Sequence, residues 1–141
     1  MRAAVYEKTG PAHEVLKIID IETPHPGSGE VRVKIQWSGV NPSDVKSRAG
    51  LRTKTLAFPR IIPHSDGSGV IDEVGADVPE ERVGENVWVW NAAWQRPFGT
   101  TAEYVVLPSR QAVRLPEGTS PEAGACIGIP ALTAYHAVRV N

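Results

Sequence analysis

Two short runs of this chain hold polar groups whose types and spacing could do chemistry. The first is Ser38-Gly39-Val40-Asn41-Pro42-Ser43-Asp44, and the second is Pro63-His64-Ser65-Asp66-Gly67-Ser68-Gly69. Metal binding is the first chemistry to consider, since a tetrahedral zinc site draws on Cys, His and carboxylate groups. The first run supplies an amide, a proline, hydroxyl oxygens and one carboxylate. The second supplies one histidine and one aspartate, two residues apart. Cys126, the single cysteine, lies far from both in sequence. Chemistry at these residues is therefore expected to proceed without a metal.

The elements that would position them are mostly short strands. Expected strands are 2–6, 15–21, 30–37, 69–74, 86–90, 102–107 and 112–115. Over Glu30 to Trp37, Val31, Val33, Ile35 and Trp37 alternate with Arg32, Lys34 and Gln36, the period of a half-buried strand. Turn residues such as Pro24-His25-Pro26-Gly27 and Gly84-Glu85-Asn86 separate the strands. Many short strands at this spacing indicate a barrel or sandwich, a mainly β fold with some helix. One helix is expected over 42–49. Asn41 suits its N-cap, Pro42 its first position, Asp44 its first turn and Gly50 its stop. A second short helix opens at Ser120-Pro121-Glu122 and closes at Gly128; a third is expected over 131–138.

Composition narrows the function classes. Of 141 residues, 41% are hydrophobic and 22% charged, which is ordinary for a globular domain able to bury a core. Fifteen basic and 16 acidic residues leave a net charge of −1, which argues against nucleic-acid or membrane-surface partners. Lys46, Arg48, Arg52, Lys54 and Arg60 read as a solvated face. One cysteine suits a reducing compartment, and the start of the chain meets charge too soon for a signal peptide. No apolar run reaches the length that crosses a bilayer, so the expected location is the cytoplasm.

Four blocks, in order, resemble the zinc-independent quinone oxidoreductases, the zeta-crystallin-like branch of the medium-chain dehydrogenases/reductases. Ser38 to Asp44, followed by Arg48-Ala49-Gly50, resembles the branch's Gly-Val-Asn-Pro-x-Asp segment. Pro63 to Gly75 resembles its Pro-Gly-x-Asp-x-x-Gly-Val-x-x-x-Val-Gly block. Ala102-Glu103-Tyr104-Val105 and Ile127 to Tyr135 fit as well. The resemblance implies a GroES-like, partly open β-barrel catalytic domain over 1–124, with 125–141 the first helix of an NADPH-binding Rossmann domain. That domain is otherwise absent: no Gly-x-Gly-x-x-Gly follows a strand. It implies hydride transfer from NADPH to a quinone or another electrophilic alkene or carbonyl, and a homodimer for the full-length protein. It also implies that zinc-dependent relatives hold their ligands at the positions of Asn41, Ser65 and Ile129. The isolated chain is expected to be inactive. Alternatives are a stand-alone GroES-like ligand- or partner-binding module, or a zinc-type alcohol dehydrogenase relative.

The resemblance also assigns residues. Asn41 would bond the nicotinamide ribose or the substrate, or serve simply as a helix cap. Asp44 is a first-turn acid that could orient Asn41 or Arg48. Lys46 stands where related enzymes place a tyrosine near the nicotinamide, and Thr133 would lie near the same ring, unless it only bonds back to its own helix. The run from Trp88 to Phe98 holds three of the four tryptophans. Trp88 and Trp90 share a strand face, which indicates core. Trp94 and Phe98 fall in a loop, where they would stack on a flat quinone or enone, or pack on a partner subunit. No residue stands out as a tuned general acid, and water is the expected proton source.

Overall fold

The computed structural model describes residues Met1–Arg139. Its strands form two antiparallel sheets. β1 (Arg2–Val5) pairs with β2 (Lys17–Asp20) as a ribbon. β3 (Glu30–Gly39), β4 (Asp66–Val74), β5 (Asn86–Val89), β6 (Tyr104–Pro108) and β7 (Ala112–Arg114) form a five-stranded sheet in the order β6-β3-β4-β5-β7. Single bridges, Ala3 to Ala102, Tyr6 to Ile61 and Ile62 to Phe98, draw the ribbon and loops onto that sheet and make a partly open barrel. Every ladder between these strands is antiparallel, so the described residues contain none of the parallel βαβ units of a Rossmann domain. The helices are short: α1 (Ala12–Val15), α2 (Pro42–Arg48), α3 (Pro121–Gly124) and α4 (Leu132–Arg139).

Alternation along the strands fixes the core. Val31 and Val33, Ile71, Val87 and Val89, Val105 and Leu107, and Ala112 point inward from all five strands and are almost wholly buried. Burying each Val, Leu or Ile contributes about 1.5–3 kcal/mol relative to leaving it exposed. A second cluster, Ala3, Val5 and Ile62, seals the ribbon to the barrel. Trp88 and Trp90 do not join the core, contrary to the expectation above. Val87 and Val89 take the inward register, and the tryptophans lie half-buried on the other face. Both pairs alternate with period two, but the compact β-branched pair fits an interior already filled from neighbouring strands. The expected strand over 15–21 also begins differently. Pro11 fixes φ at −59° and a turn of helix follows, so extended pairing starts only at Lys17.

Two irregularities carry the site. The β3–β4 register shifts between Ile35 and Trp37, which leaves Trp37 exposed and sets Gly39 opposite Asp66. At the other end, α3 is capped by Ser120 Oγ, which accepts from the Ala123 N–H. The chain then bends through a wide turn over Ile127–Ala131, with a kink at Gly128 (φ −56°, ψ −105°). Beyond it, every described residue from Ala131 onward is exposed.

Candidate functional site

The site is built around the mouth of α2. Asn41 is extended (φ −119°, ψ 157°), and Pro42, whose missing N–H needs no partner in a first turn, begins the helix. The Asn41 N–H donates to Asp44 Oδ2 at 2.8 Å, so Asp44 folds back over the helix start. The Asn41 side chain is only 4% exposed. Its amide reaches into the barrel and donates from Nδ2 to Asp66 Oδ2 at 2.8 Å. The Ile129 N–H donates to that same oxygen, also at 2.8 Å. One carboxylate at the start of β4 thus ties the mouth of α2 to the turn that precedes α4.

Gly128 makes this bracket possible. A Cβ at that position would lie 2.2 Å from Asp66 Oδ1, and the kinked backbone is what turns the next N–H toward the carboxylate. Asp66 is fully buried, and its Oδ1 has no hydrogen-bond partner. Burial pushes its carboxyl above the usual range. The bonds from Asn41 and Ile129 oppose that shift, Asp44 adds to it, and His64 pulls against it. Asp44 is also raised, by burial first, against the Asn41 N–H and the Arg52 charge.

His64 lies beside this bracket with an unusual backbone, a left-handed φ of 72°. Its carbonyl accepts from the Thr100 N–H at 3.0 Å. Its Nδ1 meets Ser38 Oγ at 2.9 Å, Ser38 Oγ meets Thr100 Oγ1 at 2.7 Å, and Thr100 Oγ1 donates to the Asp66 carbonyl at 2.6 Å. Burial lowers the ring's pKa from the ordinary histidine value, and the nearby Asp66 opposes this.

The 91–98 loop adjoins the start of β4, the Ala92 N–H donating to the Ser65 carbonyl at 2.9 Å. Asn91 and Gln95 adopt left-handed φ angles of 51° and 56°, which fold the loop back on itself. Arg96 holds it from beneath, donating from Nη2 to the Asn91 carbonyl and to Gln111 Oε1. With Arg96 turned in, Trp94 and Phe98 turn out, 62% and 53% exposed. Val40 and Val45 of the α2 region are exposed as well.

Of the residues expected from sequence, Asn41 and Asp44 come together. Asp44 orients Asn41 and not Arg48, whose Nη1 donates to the Gly10 carbonyl. Lys46 lies exposed on α2. Thr133 sits on the exposed α4, four residues beyond Ile129 of the bracket. Sequence reading missed the roles of Asp66, His64, Ser38 and Thr100. The available signal was an acid opening a buried run of small residues, Gly67-Ser68-Gly69, where a charge needs partners. Among the described residues no three or more His, Cys, Asp or Glu side chains converge as a metal site. The three positions that the resemblance gives as ligand positions of zinc-dependent relatives offer an amide already donating to Asp66, a serine and an isoleucine, a set that does not suit zinc.

Residues 27–117 match the model of the alcohol dehydrogenase GroES-like domain, and the chain belongs to that family. It is similar to human quinone oxidoreductase, 36% identical over 140 residues, which cover 98% of this chain and 40% of that protein. Among solved structures, the quinone oxidoreductase of Pseudomonas syringae pv. tomato aligns with a TM-score of 0.86 at 29% identity, over 98% of this chain and 40% of that one. A mycobacterial protein solved in complex with NADPH aligns at 0.82 and 27%, over 99% and 40%. The chain therefore spans about 40% of the length of each of these relatives.

Proposed function

We propose that this chain is the catalytic-domain part of an NADPH-dependent quinone oxidoreductase that works without zinc. The observation that carries the reading is the buried Asn41–Asp66–Ile129 bracket, in which hydrogen bonds engage Asn41 and Ile129, two of the three positions where the resemblance places the ligands of zinc-dependent relatives. Beside it, Trp94 and Phe98 offer a flat apolar wall suited to a quinone or a similar conjugated electrophile. A reduced nicotinamide bound against this face would supply the hydride. The residues of this chain would bind and orient: Asn41 and Lys46 from α2 and Thr133 from α4 toward the cofactor, Asp44 by fixing Asn41, Trp94 and Phe98 against the substrate. Most of the cofactor's contacts would come from a nucleotide-binding domain. Residues 125–141 lead toward that domain, the first of them still fixed to the barrel through Ala125, Gly128 and Ile129. A homodimer and a cytoplasmic location complete the proposal. No helix of the described residues is long and apolar enough to cross a membrane.

The test is loss of NADPH absorbance by the full-length protein with a simple benzoquinone or naphthoquinone. Turnover that saturates in quinone and falls by at least tenfold in Asn41→Ala supports the reading. Absence of quinone-dependent oxidation would leave the stand-alone binding module as the better account.

A further inference from the structure

The hydroxyl chain beside the bracket has only one consistent direction. A carbonyl oxygen accepts and cannot donate, so the Thr100 hydroxyl proton is fixed on the Asp66 carbonyl. Ser38 must then donate to Thr100, which uses its single proton. What Ser38 receives from His64 is therefore an Nδ1–H. This holds whether the ring is neutral or charged, because both forms can carry a proton on Nδ1. The proton that comes and goes is confined to Nε2. The ring is part-buried, and among the described residues no group is hydrogen-bonded to Nε2. A histidine at this place is also a departure: the block that Pro63 to Gly75 resembles carries glycine there, and a φ of 72° is one that glycine adopts freely. Fold alone would be served by glycine.

Resting on the functional reading above, we propose that His64 is a catalytic residue, the acid that supplies the proton accompanying hydride transfer. When a hydride from the reduced nicotinamide arrives on a quinone, the substrate is reduced to a hydroquinone monoanion. The His64 imidazolium gives its Nε2 proton to that oxyanion. The N–H bond breaks, an O–H bond forms, and the neutral ring regains a proton from solvent while Nδ1 stays bonded to Ser38. This replaces water as the expected proton source. The charged group acting on the ring is Asp66 of β4. Behind it, Asp44 of α2 acts on Asp66, with Arg52 facing Asp44, and Tyr6 of the ribbon side lies near Asp44 and Arg48. The ring titrates below the ordinary histidine value, so the reductive rate should fall as pH rises through that lowered value.

Two measurements test this in the full-length protein. The first needs no turnover: ring-nitrogen NMR shifts of His64 across pH should show Nδ1 protonated throughout and Nε2 alone titrating. A neutral ring protonated on Nε2 would overturn the proposal. The second compares His64→Gly, which suits the backbone, and His64→Asn, which tolerates it and can still donate to Ser38. Both should keep the wild-type unfolding midpoint within a few degrees, lose about 10²-fold in kcat, and lose the pH dependence assigned to the ring. Variants that keep wild-type kcat and pH profile would overturn the role. A wild type with the expected nitrogen shifts but no quinone turnover would instead overturn the functional reading beneath it.

Discussion

Replacing Asp66 with alanine and with asparagine should give two different proteins. In Asp66→Ala the Asn41 amide and the Ile129 N–H both lose their acceptor. A buried donor left unpaired costs about 1–3 kcal/mol, so two cost about 2–6 kcal/mol, and removing a desolvated carboxylate gives part of that back. Asp66→Asn keeps an oxygen for both donors but sets its own amide N–H groups where the unpartnered Oδ1 now lies, so it should cost about 1–3 kcal/mol, less than alanine. The sign of the pH effect follows from the raised carboxyl. The folded chain holds the Asp66 proton more tightly than the unfolded chain does, so this stabilisation is full below the ordinary aspartate pKa and is lost as pH rises through the raised value. The asparagine variant should therefore gain on the wild type as pH rises from the ordinary aspartate value through the raised one. Asp44, shifted the same way, leaves some pH dependence in both. Urea unfolding at several pH values reads these differences directly. The reasoning fails if asparagine is no more stable than alanine at pH 7, or if the gap between asparagine and wild type does not move with pH.

Two further outcomes follow from the same geometry. Gly128→Ala drives a Cβ into the fully buried Asp66 carboxylate and should lower stability by about 1–3 kcal/mol; a thermal midpoint equal to wild type would contradict the bracket. Trp94→Ala and Phe98→Ala remove exposed side chains, so stability should change by no more than about 0.5 kcal/mol while the KM for quinone rises several-fold with little change in kcat. An unchanged KM together with a weakened dimer would assign the wall to a partner subunit.

Much of the frame is legible in the sequence. Asn41, Pro42 and Gly50 marked α2 to within a residue of its observed end, because caps and stops are local chemistry. The alternation in β3 was equally plain as far as Ile35, where a register shift that depends on the facing strand turns Trp37 outward. Strand-face assignment failed at Trp88 and Trp90 because the intervening valines carry the same period, and only the packed interior chooses between them. The site was less legible than the fold. Asn41 and Asp44 sit three residues apart and could be linked by helix rules. Asp66 meets Asn41 and Ile129 across 25 and 63 residues, contacts that no local pattern specifies. In sequence His64 is one histidine two residues from Asp66. It acquires a direction only through Ser38 and Thr100, which the barrel brings to it from β3 and from the loop before β6.

The central claim is that a hydrogen-bonded carboxylate replaces a metal in this frame. Quinone-dependent NADPH oxidation by the full-length protein, before and after exhaustive chelation and with metal content determined alongside, tests it most directly. The account predicts undiminished turnover in protein that carries no stoichiometric zinc. Activity lost on chelation and restored by added zinc would contradict it.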